Sequence, residues 1–351
     1  MRMSHPYRDL PTRAFWRTAV TDADRTQFPG LYAPRFGIDP TTRVATAGSC
    51  FAQHIGTYLR AAGCKVLDCE KAPRGMTEKT AKRFGYGLFS ARYGNVYTAR
   101  QMRQLLQDAV APDPSKDHVW PLGDRFVDAF RPTVEPEGLD SVEEVLLHRR
   151  HHLLRLGNML KKTDVFVFTL GLTETWEDVQ TGRVFPLSPG VAGGTFDPDR
   201  HRFYNQTHAD VLADLAQIRD LLRQFNPAME LLLTVSPVPL TATATPEHVL
   251  SATTYSKATL RSAAGAFVAA TDDVDYFPSY EIITAPASGG PWFAPNMRSV
   301  SAEGVEKVMG IFLAAHGLFD PAPPDESTPD DDPDEDDDLV CDELLLQAFA
   351  K

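Results

Sequence analysis

Apolar residues recur along this chain in two rhythms. Short alternating or continuous runs mark strands at Val44 to Ala47, Lys65 to Leu67, DVFVFTL (164 to 170), ELLLTV (230 to 235) and Val274 to Phe277. DVFVFTL, bounded by Asp164 and Gly171, suits a strand buried on both faces. Between these runs the spacing lengthens to three and four, the period of an amphipathic helix. Phe51, Ile55 and Leu59 predict one helix that stops at Gly63, and Thr98 caps another through about Ala109. A third spans Ser141 to Lys161, with Val142, Val145, Leu146, Leu153 and Leu156 inward. A fourth carries Val211, Leu212, Leu215, Ile218, Leu222 and Phe225 and closes at Asn226-Pro227. Another runs through Lys257 and Phe267, and Ser301 opens the last.

Strand and helix alternating about five times predict α/β architecture: a three-layer α/β/α sandwich around a parallel sheet, flavodoxin-like. Function in such sheets gathers at the carboxyl ends of the strands. That rule nominates Ser49 and Cys50, Gly94 and Asn95, Thr173 to Trp176, Ser236, and Ser279 to Glu281. Glu174 to about Thr207 is expected to be one long loop, and PVPLTATATPEH another.

The 351 residues, 43% hydrophobic, suffice for one large domain, 41 to 319. Residues 1 to 40 are polar and proline-punctuated, and they predict an arm laid over the body by Phe15, Trp16, Phe28 and Tyr32. Most of the net charge of -12 comes from residues 320 to 338, which hold eleven acids and no base and read as a disordered, solvated linker. LVCDELLLQAFAK (339 to 351) follows, either a short docking helix for a protein partner or a frayed tail. No Lys or Arg cluster offers a phosphate backbone a face, so nucleic acid is not expected. Cys50, Cys64, Cys69 and Cys341 lack metal-ligand pairing and make no disulfide framework, which fits a reducing compartment. Without a signal-peptide core or a run long enough to insert in a membrane, a soluble cytoplasmic protein is expected.

Ser49 stands where a strand gives way to a helix, near unpaired amides that favour a developing oxyanion, and the same position suits a simple N-cap. GSCFA (48 to 52) resembles the namesake motif of the GSCFA family, which is related to the SGNH/GDSL esterases. YGNVYTARQMRQLL (93 to 106), TLGLTETW (169 to 176), TVSPVPL (234 to 240) with YSKATLR (255 to 261), and YFPSYEI (276 to 282) resemble four further blocks. The resemblance implies an SGNH-type sheet with Ser49 as nucleophile. It also implies Gly94 and Asn95 at the oxyanion hole, and Thr173 and Glu174 where the esterases carry Asn and Asp. With Trp176 these residues form the expected substrate-binding set; capping of the loop after the strand is the bland alternative for Thr173 and Glu174.

The sequence departs from the esterase pattern at its end. Where those enzymes place Asp-x-x-His, this chain reads Asn296, Met297, Arg298, Ser299. A serine needs a base to become a nucleophile near neutral pH. His208 is the first candidate and His248 the second, each opening a helix after a long loop. His54 is expected to pack, His148, His151 and His152 to line a solvated face, and His316 to lie far from the strand ends. Glu281 serves either as base or orienting carboxylate, or as partner to an Arg or Lys. Cys50 ranks behind Ser49 as nucleophile.

The expected function is a serine-dependent acyl esterase or O-acyltransferase on a carbohydrate, in the bacterial surface-polysaccharide context that the resemblance implies. No metal or organic cofactor is expected. The alternative is a catalytically inactive glycan or nucleotide-sugar binding protein, gripping its ligand through Tyr93, Trp176, Tyr280 and Trp292 and recruiting a partner through its tail.

Overall fold

The computed structural model describes residues 5–24, 28–318 and 341–350; the acidic segment 320 to 338 lies outside them. The chain runs β1 (Arg43–Gly48), α1 (Ala52–Ala61), β2 (Lys65–Val66), α2 (Glu78–Arg83), α3 (Ala99–Val110), β3 (Val119–Leu122), β4 (Arg125–Asp128), α4 (Val142–Leu160) and β5 (Val165–Leu170). It continues through β6 (Glu174–Asp178), β7 (Arg183–Phe185), β8 (His201–Asn205), α5 (His208–Phe225), β9 (Glu230–Val235), α6 (Val249–Ala269), β10 (Val274–Phe277), α7 (Ser279–Thr284) and α8 (Ala302–Ala315).

Five strands form the central sheet in the order β10-β9-β5-β1-β2, and every pairing is parallel. The chain therefore starts near the middle and winds outward both ways. The switch of direction falls between β1 and β5, where Gly48 registers with Thr169. Ligand crevices of open α/β sheets open at such a point.

β5 is buried along its whole length, and its two faces feed two cores. Phe166, Phe168 and Leu170 pack with α3, α4, α5 and α6, while Val165 and Val167 pack with α1, α7 and α8. Alternation inside a continuous apolar run thus makes the three layers. No helix among the described residues is long and apolar enough to cross a membrane.

The structure adds elements where loops are expected. Residues 174 to 205 hold a three-stranded antiparallel sheet, β7-β6-β8, with Trp176 paired to both Phe185 and Phe203. A second hairpin, β3-β4, follows α3. His152 also departs from expectation. It is fully buried rather than on a solvated face, and its Nδ1–H donates to Glu70 Oε2 at 2.7 Å.

The N-terminal arm meets the body chiefly beyond residue 28. Tyr32 donates its hydroxyl to Asp275 at 2.9 Å and packs edge-on against Phe277, Phe28 lies under the Lys307 ammonium, and Ile38 is buried. Phe15 and Trp16 are instead exposed.

Candidate active site

β1 ends on a residue that only glycine can be. Gly48 has φ +141°, and a Cβ there would lie 2.3 Å from the Thr169 carbonyl oxygen on β5. Close strand approach brings Ser49 in next, its N–H donating to the same carbonyl at 3.2 Å. Ser49 does not cap the helix, since the N-cap of α1 is Phe51, with no side-chain cap bond. The Ser49 hydroxyl is buried and has no hydrogen-bond partner among the described residues. Leaving a buried hydroxyl unmatched costs about 1–3 kcal/mol, so such a group calls for an explanation. Gly171, the residue after β5, keeps the space beside it open: a Cβ there would stand 3.0 Å from Ser49 Cβ.

The loop before α3 is tied to this turn, as Val96 N–H donates to the Gly48 carbonyl at 2.8 Å. Gly94 sits at φ +67°, and Asn95 beside it is buried. Asn95 offers both its backbone N–H and its side-chain amide to one carboxylate, that of Asp342. Two donors thus converge on one anionic group, in the loop that Val96 ties to the Gly48 turn.

The Thr173 hydroxyl donates to Asn205 Oδ1 at 2.6 Å, and its N–H donates to Ser256 Oγ at 2.9 Å, so its polar groups brace β8 and α6. Glu174 accepts from Thr243 Oγ1 at 2.6 Å and Ala244 N–H at 3.2 Å, holding the loop before α6, and burial pushes its carboxyl pKa up. Trp176 packs edge-on between Phe196 and Phe203.

The structure does not bring the expected bases to Ser49. His208 is exposed in the first turn of α5, and His248 caps α6 by accepting from Leu250 N–H at 3.1 Å. Glu281 is paired with Arg261 and accepts from Tyr276 Oη at 2.9 Å. Cys50 is buried and shares a hydrogen bond with Cys341, which holds its thiol pKa well above the ordinary value.

Three groups at this corner were not singled out for chemistry from the sequence. Lys257 is fully buried, donates from Nζ to the Gly171 carbonyl at 2.6 Å, and is pushed by burial down to about 8. Gly171 therefore touches Ser49 on one side and Lys257 on the other. Arg298, in the stretch where the esterases carry Asp-x-x-His, donates to Glu343 at 3.0 Å and to Cys341 Sγ at 3.6 Å. Cys341, Asp342 and Glu343, all buried, complete the set. Membership of one block, YSKATLR, is the one sequence signal for Lys257, and the tail signals docking rather than chemistry.

A separate cavity of about 110 Å³ is bordered by Asp108, Asp128, Phe130, Arg149 and Arg183. Its guanidiniums are spent on its own carboxylates, with Arg149 and Arg183 both on Asp108, so it ties α3 to α4 and β7.

A parallel sheet in this order, with helices on both faces and a buried serine just past the first strand, defines an α/β/α sandwich. Among solved structures the chain is similar to a carbohydrate esterase family 3 protein from Talaromyces cellulolyticus at 8% identity and TM-score 0.37, covering 78% of this chain and 94% of that one. It is likewise similar to a Clostridium thermocellum family 3 carbohydrate esterase (10%, TM-score 0.33, 78% and 94% covered). A GDSL-like protein from Parabacteroides merdae gives 14%, TM-score 0.36, and 82% and 100% covered. No curated protein matches the chain. The GSCFA family model matches residues 43–312, and the chain belongs to the GSCFA family.

Proposed function

We propose that this protein is a serine-dependent acyl esterase or O-acyltransferase acting on a carbohydrate. The observation that carries the reading is the buried, unpartnered Ser49 hydroxyl at the switch point of the sheet, in the turn to which Val96 ties the loop that carries Asn95. Ser49 Oγ attacks the acyl carbonyl, and the Asn95 amides hold the oxygen that gains charge. The sugar hydroxyl leaves, and water or a second hydroxyl takes the acyl group from the serine. Lys257 receives the serine proton in this scheme, because it shares Gly171 with Ser49 and its lowered pKa puts a usable fraction in the neutral form near pH 8. The carbohydrate substrate and the bacterial surface-polysaccharide context rest on the likeness of the five sequence blocks to their family.

The test is a serine-directed fluorophosphonate together with hydrolysis of a simple aryl acetate. Ser49→Ala is expected to abolish labelling and to lower hydrolysis by ~10³-fold or more. Full hydrolysis by that variant would sink the mechanism. A second reading, a binding protein without catalysis, is favoured by one observation: no histidine hydrogen-bonds Ser49 among the described residues. Tyr93 cannot serve its ligand, being buried with its hydroxyl on the Thr46 carbonyl. Absent labelling combined with saturable glycan binding would establish that reading.

A further inference from the structure

Residues 341 to 343 enter the body by their polar groups. Asp342–Phe349 winds as a 3-10 helix, yet its buried residues are Asp342 and Glu343, while Leu345 and Phe349 are 42% and 65% exposed. An amphipathic peptide docking on an apolar groove would do the reverse. Burying carboxylates is costly unless each finds partners, and here each does. Asp342 accepts from Thr133 Oγ1 at 2.7 Å and from both amides of Asn95. Glu343 accepts from Arg298 at 3.0 Å and from the Thr241 N–H, and its own N–H donates to Tyr97 Oη at 3.2 Å. Cys341 lies on Cys50, the residue after Ser49, and 3.9 Å from Tyr97 Oη. The partners come from five separate stretches of chain, at Cys50, at Asn95 and Tyr97, at Thr133, at Thr241 and at Arg298.

We propose that Cys341-Asp342-Glu343 is an intramolecular plug that closes the Ser49 cleft by product mimicry. Ester hydrolysis leaves a carboxylate where the ester carbonyl was, and Asp342 presents a carboxylate to the Asn95 donors that the reading of Ser49 as nucleophile assigns to the oxyanion. The plug rests on that reading for its meaning but not for its existence. Glu343 supplies the lock, held by Arg298 from the stretch that departs from the esterase pattern. Burial pushes the carboxyl pKa of both Asp342 and Glu343 up, as expected of acids taken out of water. An acyl substrate reaches Ser49 only when this segment withdraws.

The experiment uses the full-length chain and its Asp342→Ala/Glu343→Ala variant, with Cys50 alkylation by iodoacetamide followed by peptide mass. The variant's Cys50 is expected to react at least about tenfold faster, the factor imposed by a plug seated nine-tenths of the time. Equal rates would overturn the proposal. Because the variant could lose its fold, the native chain is also treated with diamide, which takes one hydrogen from each thiol and couples them. A Cys50–Cys341 disulfide is expected. Its absence, with Cys50 alkylated as fast as Cys69, would equally overturn the plug. Fluorophosphonate labelling separates the two readings. Ser49 labelling that rises with Cys50 opening supports both, whereas Cys50 opening with no labelling keeps the plug and removes the acyl-enzyme.

Discussion

Lys257 shows what a side chain gains from its surroundings. With a pKa near 8, it is mostly charged at neutral pH and becomes a base as pH rises. If it takes the Ser49 proton, ester hydrolysis should climb through about pH 8 to a plateau. Lys257→Met and Lys257→Arg should each lose most activity, the second because a guanidinium stays charged. A pH–rate profile with no inflection in that region would dismiss the role. Glu343 raises this pKa, so removing that carboxylate should move the inflection lower. Ser49, Gly94 and Asn95 could be nominated from the sequence because contiguous motifs carry them. Lys257 was not, since its bond to Gly171 spans 86 residues of chain and is made by the fold.

β1 and β5 show why some elements announce themselves. Both are enclosed by helices and buried along nearly all their length, so the positions are small or apolar with few exceptions and the run reads as a strand. β6 to β8 are three to five residues each and rich in polar side chains, so residues 174 to 205 look like a loop until Trp176 meets Phe185 and Phe203 across the sheet. The same holds for α4, where His152 sits among charged neighbours in sequence but faces Glu70 in space. The contact between β1 and β5 yields a prediction. Gly48→Ala would drive a methyl group into the Thr169 carbonyl at a disfavoured φ, and a loss above about 3 kcal/mol is expected in denaturant unfolding. Ala at Gly63, with nothing within 4 Å, supplies the comparison, where only the positive φ is penalised.

The molecule as a whole should be acid-sensitive. Burial, reinforced by repulsion from Arg131, pushes His152 down to about 4, so it is neutral in the fold while the unfolded chain protonates it near its ordinary value of 6.5. Between those values the unfolded state binds more protons, and stability must fall as pH drops through the window. The loss from this one group reaches roughly 3 kcal/mol. Although burial opposes it, Glu70 is held well below the usual carboxylate range by His152, Arg131 and the Arg92 amide, and its share is lost at still lower pH. Guanidinium midpoints at pH 7 and pH 4.5 should therefore differ clearly, and equal midpoints would contradict this account. The segment at residues 341 to 343 bears on the same scale in another way. Because stopper and cleft belong to one polypeptide, closure is a first-order equilibrium, and the open fraction is the same in a dilute assay as in a crowded cell. Dialysis and dilution, which strip a separate inhibitor, leave this one in place. A weak rate from purified protein would then be the product of the open fraction and the rate at Ser49 once open, so it understates how fast Ser49 reacts.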